Sequence, residues 1–361
     1  MNGNGQGTAP DQIENCPHPR NVQTLFGHEL AEQSFLNSMK AEKLHHAWLI
    51  QGPKGAGKAT LAYRMARRLS GATPDAANGL LGCVPEDHIS RQISAGSYPD
   101  LKVTTNSWNE KTKKWRNEIS VDQIREIGHM FANQAAGNGW RVCIVDCVDD
   151  LNRNAANALL KTLEEPPKRG LLILISHQPG RLLTTITSRC RRLKLRAPGA
   201  SITKRIAMEC GANEEDALFA AKLSAGCPGR ALQIINTKGA GNQDGGLWAV
   251  IDRFFYEFPN LNHVKLHDLA NKLSQKKAAQ SLDLFLSLLQ VRLEQKIRQL
   301  ANSGETHAIT PWFKAVEENQ VLQNDLTRIN LDPAMVIHQL LQNIQRASRL
   351  ASQIKESPNA G

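Results

Sequence analysis

The first two thirds of the chain alternates short, continuous apolar runs with stretches whose apolar residues recur at helical spacing. The apolar runs lie at 47–50, 142–145 and 171–175, and runs of this length are typical of strands buried on both faces. Helical patterns follow the first two, at 61–69 and 151–163. Since parallel strands require crossover helices, we read five strand-and-helix periods and predict an α/β fold with a doubly wound parallel sheet.

Beyond residue 246 the apolar positions follow helical spacing almost throughout. Two long helices are predicted from their apolar faces, which comprise Leu282, Phe285, Leu286, Leu289, Leu293 and Ile297 in the first and Val336, Ile337, Leu340, Leu341 and Ile344 in the second. Asp332-Pro333 predicts an N-cap followed by proline at the first helical position. No pattern of reactive residues occurs here, so we predict an all-α packing and assembly domain.

Glycine, asparagine and proline mark the boundaries between these regions. They are frequent in the first twenty residues, which predicts a flexible N-terminal arm, and glycine-rich sequence near residue 240 predicts a linker. The predicted organisation is an arm at 1–20, a nucleotide-binding-type core at 21–197, a small helical module at 198–236, a linker at 237–246 and a helical C-terminal domain at 247–355.

The segment after the first apolar run nearly matches a phosphate-binding loop. Gly52 and Gly57 are five residues apart and precede Lys58, with Gly55 between them. Such a loop turns backbone N–H groups toward phosphate oxygens and supplies a lysine for their charge. The position for a magnesium-binding hydroxyl holds alanine, and Thr60, one residue on, is rotated by about 100° around the helix. An ordinary glycine-rich turn is the alternative interpretation.

Polar residues end the second and third apolar runs. Asp146 closes the second run and Ser176 closes the third, and the carboxyl ends of parallel strands meet at one edge of a sheet. The side chain of Asp146 should therefore face the phosphate loop. Cys147 stands where a hydrolytic site of this layout carries a glutamate that orients water. Together with Ala59 at the magnesium position, this residue argues against ATP turnover.

Composition narrows the class of protein. The 361 residues are 41% hydrophobic and 22% charged, as in a folded protein rather than a disordered one. The net charge of +10 suits a polyanionic partner such as DNA or nucleotide. The seven cysteines are scattered and never spaced Cys-x-x-Cys, so neither a disulfide framework nor a zinc ribbon is indicated. No apolar run is long enough to span a membrane, and the start has no signal core, which favours the cytoplasm.

Two local features leave alternatives open. Basic residues between Trp108 and Trp115 predict a hairpin with a basic tip. Such a tip could bind nucleic acid, although a solvated hairpin is the favoured interpretation. The adjacent His45 and His46 could hold a metal ion. Neighbours on a strand point to opposite faces, however, so packing or surface roles are favoured for this pair.

Taken together, these motifs resemble the bacterial replicative clamp-loader subunits of the AAA+ superfamily. The matching segments are the phosphate loop, the Val145-Asp146 strand end, the helix at 154–167 that ends in Glu-Glu-Pro-Pro, Ser188-Arg189-Cys190 and Pro228-Gly229-Arg230. They span the first two thirds of the chain. The resemblance implies an AAA+ core, a three-helix lid and a C-terminal collar that closes a five-subunit ring, which opens a sliding clamp and places it on primed DNA.

The resemblance also implies roles for single residues. Arg189, in a motif with Ser188 and Cys190, matches an arginine finger that reaches the ATP of the adjacent subunit. A guanidinium is always charged and can stabilise the charge that develops on the γ-phosphate. Arg230 matches a lid arginine that contacts bound nucleotide, and Ser176 lies where a polar γ-phosphate sensor would be.

The departures from the family pattern indicate a degenerate nucleotide site. Its residues are Gly52, Gly55, Gly57, Lys58, Thr60, Asp146, Ser176 and Arg230. We expect ATP or ADP to bind there weakly or not at all, with a degenerate magnesium site. Many relatives bind zinc through four cysteines in the insert before the second strand. Only Cys83 stands in that insert, so neither zinc nor another metal is expected.

The resemblance, together with these departures from it, implies a non-hydrolysing stator subunit of the DNA polymerase III clamp loader. It would lack independent ATPase activity, assemble with delta and gamma or tau subunits, and supply Arg189 in trans. The alternative is a gamma-like or tau-like motor subunit that hydrolyses ATP itself, and Ala59 and Cys147 favour the stator. A third possibility, an autonomous DNA-binding protein built on the basic hairpin, would require salt-sensitive binding by the isolated chain.

Overall fold

The computed structural model of the chain has two compact units, residues 1–235 and 236–361. Each unit buries apolar side chains of its own, and the two are described in turn. The structure describes residues 11–13, 16–112, 114–132, 139–239, 246–258, 263–274, 279–328 and 331–356.

The first unit is built on a sheet of five parallel strands. The strands of the unit, in chain order, are β1 (Ala47–Gln51), β2 (Leu101–Thr104), β3 (Trp108–Asn109), β4 (Lys114–Trp115), β5 (Arg141–Asp146), β6 (Gly170–Ser176) and β7 (Arg191–Lys194). The sheet order is β2-β5-β6-β1-β7, while β3 and β4 form a separate antiparallel pair. The central strand β6 is buried at every position, as its unbroken apolar run predicts.

Helices cover both faces of this sheet. They are α1 (Glu29–Lys40), α2 (Lys58–Ser70), α3 (His88–Ala95), α4 (Val121–Ala132), α5 (Arg153–Glu164) and the short α6 (Thr184–Thr187). Trp48 and Ile50 of β1 belong to a core with α1, α2 and α3, whereas Ala47 and Leu49 belong to a second core with α4 and α5. Because successive strand residues point to opposite faces, these two cores confirm the doubly wound α/β architecture.

The strand register brings the predicted polar strand ends to one edge. Gln51 at the end of β1 pairs with Ser176 at the end of β6, and Asp146 at the end of β5 pairs with Ile175. The phosphate loop begins directly after Gln51. The carboxyl ends of three neighbouring strands therefore lie beside the loop, as the parallel arrangement predicts.

The remaining helices follow the sheet. Three of them form the small helical module after β7, namely α7 (Ala200–Glu209), α8 (Glu214–Leu223) and α9 (Pro228–Gly239). Helix α9 continues into the segment predicted as a linker, whose residues 240–245 lie outside the described ones. The second unit is all-α, as predicted, with α10 (Gly246–Glu257), α11 (His263–Ser274), α12 (Ala279–Asn302), α13 (Thr310–Arg328) and α14 (Pro333–Glu356).

Part of the segment predicted as a flexible arm packs against the core. The ring of His18 meets the ring of Tyr63 edge-on at 5.9 Å between centroids, and its Nε2 forms a hydrogen bond with Oδ2 of Asp11 at 3.0 Å. The guanidinium of Arg67, buried in α2, donates to the backbone carbonyl of Arg20. These contacts join sequence-distant groups, which the local composition of residues 1–20 does not reveal.

Two local predictions have mixed outcomes. The predicted hairpin exists, and Trp108 and Trp115 pair across it with their rings edge-to-face at 5.5 Å. His45 and His46, however, do not point to opposite faces. Their rings stack at 4.4 Å because both residues precede β1, which begins at Ala47. The strand rule therefore does not apply to them. Among the described residues no group of three or more metal-ligating side chains occurs.

Candidate functional site

The predicted phosphate loop connects β1 to α2, and its backbone makes close contacts that only glycine permits. Gly52 and Gly55 have φ angles of +154° and +80°. A Cβ atom on Gly52 would lie 2.3 Å from the carbonyl oxygen of Leu195, and one on Gly55 would lie 2.6 Å from the backbone nitrogen of Arg230. Side chains are thus excluded at both positions by the surrounding backbone as well as by conformation.

Lys58, the first residue of α2, directs its ammonium group into the loop. Its Nζ donates to the backbone carbonyls of Gly52 and Pro53, both at 2.7 Å. The residue is only 3% exposed, and this burial lowers the pKa of the ammonium to about 8. Two of the three ammonium N–H groups of Lys58, the residue expected to bind phosphate, therefore donate to the loop's own carbonyls.

The magnesium position carries no hydroxyl. Ala59 packs against the core shared by α1, α2 and α3, and Thr60 is buried one residue farther along the helix. A helix turns by about 100° per residue, so Thr60 does not replace a hydroxyl at position 59. The loop keeps the lysine of a phosphate site but lacks its usual magnesium ligand.

The last helix of the small helical module contacts the phosphate loop directly. The backbone N–H of Gly229, in the first turn of α9, donates to the carbonyl of Gly55 at 2.9 Å. Arg230 follows immediately. Burial holds the pKa of His177, directly after β6, well below its usual value, and the charges of Lys58, Lys54 and Arg230 lower it further. The structure therefore brings the predicted site residues Gly55 and Arg230 together at the loop.

Asp146 lies at the carboxyl edge of the sheet. Burial, with a smaller contribution from Asp11, raises the pKa of its carboxyl to about 7, and Lys58 opposes this shift. The neighbouring Cys147 is buried, and its thiol donates to Oδ2 of Asp149 at 2.7 Å. A buried thiol in this position offers no carboxylate to orient a water molecule.

Asp149 links the ends of β5 and β6, a role that sequence reasoning missed. Its carboxylate accepts hydrogen bonds from the hydroxyl of Ser176 at 2.7 Å and from the backbone N–H groups of His177 and Gln178 at 2.6 and 3.3 Å. The hydroxyl of Ser176, predicted as a γ-phosphate sensor, thus donates its hydrogen bond to Asp149 of the same chain. The paired acids at 149–150, shortly after the end of β5, were the available sequence signal.

We expect Asp146→Asn to stabilise the protein near pH 8 and to leave it unchanged near pH 4. With a folded-state pKa raised from 3.8 to about 7, the folded protein holds this proton more tightly than the unfolded chain does. Its free energy of unfolding therefore falls as pH rises between about 4 and 7. The amide cannot ionise, so the variant should gain about 1–3 kcal/mol near pH 8 in urea denaturation.

The exposed Asp122 supplies the control for this measurement, because Asp122→Asn removes a carboxylate from the surface and should change the free energy of unfolding near pH 8 by less than about 1 kcal/mol. Loss of stability in Asp146→Asn near pH 8 would contradict the prediction. That result would mean that the ionised carboxylate is held favourably by Lys58 rather than penalised by burial.

The predicted arginine-finger motif lies away from the loop, between α6 and β7. Cys190 is buried and Ser188 donates through Oγ to the carbonyl of Thr185 at 3.2 Å. Between them, Arg189 extends to the surface with its side chain 38% exposed. Its Nη2 lies 3.0 Å from Oε1 of Glu164, and its Nη1 donates to the carbonyl of Thr185 at 3.1 Å. In the described residues the guanidinium contacts α5 and α6, not the phosphate loop.

Known proteins resemble this chain over part of its length. The family model described as "DNA polymerase III, delta subunit" matches residues 27–199. The delta' subunit of DNA polymerase III from Pseudomonas aeruginosa is 40% identical over 43% of this chain and 44% of its own length. The Escherichia coli delta' subunit is 34% identical over 56% of this chain and 58% of its own length. A gamma subunit from Buchnera aphidicola is 30% identical over 49% of this chain and 45% of its own length.

The chain spans about half the length of the curated relatives it matches. No helix in the described ranges is both long and apolar enough to cross a membrane. The matched region holds the parallel sheet, the phosphate loop and the Ser188-Arg189-Cys190 motif, so it confirms the resemblance first seen in the sequence. Through residues 27–199, the chain resembles the delta-prime subunits of DNA polymerase III.

Proposed function

We propose that this chain is a non-hydrolysing subunit of the DNA polymerase III clamp loader that acts on a neighbour's ATP through Arg189. The observation that carries the proposal is the contrast between two cations. Lys58 in the chain's own loop is buried and donates to the loop's carbonyls, whereas the Arg189 guanidinium reaches the surface. Lys58 is therefore poorly placed to bind a nucleotide in this chain's own loop. Arg189 can reach a nucleotide bound by a neighbouring subunit.

Contacts around the loop support weak or absent nucleotide binding. A phosphate entering the loop would have to draw Lys58 away from two carbonyls and would find no hydroxyl at position 59 for a magnesium ion. Carboxylates already surround the lysine, since Asp146 and Asp149 both oppose the lowering of its pKa. These carboxylates thus supply part of the negative charge that a phosphate would place beside Lys58. ATP or ADP would bind weakly if at all.

Arg189 supports the action in trans. A guanidinium stays charged, and its planar arrangement of donors fits phosphate oxygens in which charge develops during transfer. Burial of Cys190 and the Ser188 hydrogen bond to Thr185 fix the backbone on both sides of Arg189. The side chain is therefore presented from a rigid part of the fold, as a residue that completes a neighbour's site should be.

The partners follow from the same proposal. The neighbour would be a delta, gamma or tau subunit in a ring of five subunits in the cytoplasm. In this chain, residues 198–236 would form the lid, and residues 247–355 would form the collar that closes the ring. The sliding clamp and primed DNA would be reached through the complex. The helical second unit, which carries exposed apolar residues such as Tyr256 and Phe313, supports a role in assembly.

A motor subunit is the second candidate, because proteins named gamma and tau also match this chain. In favour of a motor, the loop retains Gly52, Gly57 and Lys58 in the order strand, loop, helix. Against it stand Ala59 and Cys147, which remove a magnesium ligand and a water-orienting carboxylate from the same site. Two separate losses at one site make the stator the better supported function.

The purified chain should show no ATP hydrolysis above background, with or without primed DNA. The reason is that both the metal and the attacking water lack a ligand in its own site. Phosphate release provides the measurement, and Lys58→Ala should leave the background rate unchanged. A steady rate that Lys58→Ala abolishes, with unaltered thermal unfolding, would establish the motor instead.

A further inference from the structure

Glu164 is the last residue of α5 and forms an ion pair with Arg189. The two side chains are 51% and 38% exposed and approach to 3.0 Å between Oε1 of Glu164 and Nη2 of Arg189. The other terminal nitrogen, Nη1, donates to the carbonyl of Thr185 at 3.1 Å. Both terminal nitrogens of the guanidinium therefore contact acceptors of this chain.

The position of Glu164 at the C-terminal end of α5 strengthens the attraction between this part of the chain and the Arg189 guanidinium. The C-terminus of an α-helix carries a partial negative charge that attracts cations, and α5 ends at Glu164. A carboxylate and a helix end thus act on Arg189 from the same side. An Arg–carboxylate pair uses the same planar donors that an Arg–phosphate pair requires, so the carboxylate competes directly with a phosphate for this guanidinium.

We propose that Glu164 is a positioning residue that retains Arg189 until the phosphate of a neighbouring subunit's nucleotide displaces it. The inference rests on the proposed function, since it assumes that Arg189 serves such a nucleotide. In the retained state Arg189 is held at the surface by Glu164 and Thr185. In the engaged state the phosphate oxygens take the place of the Glu164 carboxylate, and no covalent bond changes.

The exposure of the pair makes this exchange easy. An exposed ion pair stabilises one arrangement by about a two- to five-fold factor in the equilibrium constant and is weakened by salt. A nucleoside triphosphate carries several negative charges and can outcompete one carboxylate of this kind. The Glu164–Arg189 pair is therefore strong enough to favour the retained position of Arg189 and weak enough for a phosphate to displace Glu164.

The test uses a clamp loader reconstituted from this chain and its partner subunits, with DNA-dependent ATP hydrolysis followed against ATP concentration. Glu164→Gln should lower the KM for ATP at the site that Arg189 serves by about two- to five-fold at low salt, and kcat should stay the same. The shift should shrink at high salt, because screening weakens the ion pair in the unaltered protein.

Glu165→Gln provides the matched control. Glu165 is also exposed and differs from Glu164 in forming no ion pair with Arg189, so its loss of charge should leave KM unchanged. In an Arg189→Ala background, Glu164→Gln should have no effect, because the double-mutant cycle isolates the interaction between the two residues. Equal thermal unfolding of all variants excludes a general loss of structure.

The outcomes separate the two proposals. If Arg189→Ala lowers hydrolysis while Glu164→Gln and Glu165→Gln give the same KM, the retaining role of Glu164 is refuted and the arginine finger stands. A fall in kcat with Glu164→Gln also refutes retention, since it would mean that the carboxylate orients Arg189 for the reaction. If Arg189→Ala itself leaves hydrolysis unchanged, the proposed function fails first.

Discussion

Replacement of Arg189 by alanine should leave the protein folded and able to join the ring. It should nearly abolish ATP hydrolysis at the site that Arg189 completes in a neighbouring subunit. Arginine fingers are worth about 10³–10⁵ in rate, because they stabilise charge that develops on the transferred phosphoryl group. The DNA-dependent ATPase activity of the reconstituted loader should therefore fall by the share of that one site, and clamp loading should fall with it.

The structure explains why folding should survive this change. The Arg189 side chain is partly exposed, and its ion pair with Glu164 lies at the surface. Exposed pairs contribute about 0–1 kcal/mol to stability. The buried Cys190 beside it, which is part of the core, stays in place. Thermal unfolding of the variant should thus be close to that of the unaltered chain.

Arg192→Ala is the control for Arg189→Ala. Arg192 is an exposed arginine of the same edge, three positions along, and its Nη2 donates weakly to the carbonyl of Thr187 at 3.4 Å. Arg192→Ala removes the same charge but leaves the Ser188-Arg189-Cys190 motif intact, so the ATPase activity of the reconstituted loader should be unchanged. Similar losses in both variants would assign the effect to general basic charge, and no loss in either would remove Arg189 from the mechanism.

Arg64→Ala should destabilise the first unit by about 3–5 kcal/mol. Arg64 and Glu32 form an ion pair at 2.7 Å in which both side chains are only 2% exposed. The guanidinium also donates to the carbonyls of Gln23 and Asn78. Alanine would leave a buried carboxylate without its counter-ion and two carbonyls without their donor, in addition to a cavity. Urea denaturation of the full chain measures the loss.

An exposed pair gives the contrast for this prediction. Lys102 and Glu126 also lie 2.7 Å apart, but their side chains are 39% and 57% exposed, so Glu126→Ala should cost less than about 1 kcal/mol. Replacing Arg64 and Glu32 together by apolar residues of similar volume should recover much of the stability lost in the single variant. Equal losses in Arg64→Ala and Glu126→Ala would contradict the account.

Several elements could be predicted because their signals are local. The apolar run at 171–175 gave the buried central strand β6, and alternation of such runs with helical patterns gave the doubly wound sheet. Asp332 and Pro333 gave the start of α14, where the Asp332 carboxylate accepts from the N–H of Ala334 at 3.2 Å. Each depends on neighbours within one or two turns, which a single sequence displays.

Sequence reasoning failed where it misplaced the start of a strand and where the outcome depended on contacts between distant segments. His45 and His46 stack because β1 starts after them, and the last residues of the predicted arm pack on α2 through His18 and Arg20. Asp149 lies three residues beyond the end of β5, yet it accepts a hydrogen bond from Ser176 across the strand ends. A strand pattern shows which face is buried, but not which loop side chain crosses to the next strand.

The sequence alone determined the α/β core, the order of strand, phosphate loop and helix, the missing hydroxyl at Ala59 and the presence of Arg189 in its motif. These depend on residue type and short-range spacing. Only the tertiary structure decided that Lys58 donates to its own loop and that Glu164 holds Arg189. Such contacts arise when packing brings together acceptors and donors from separate elements, and the hydrophobic pattern that drives folding leaves their partners unspecified.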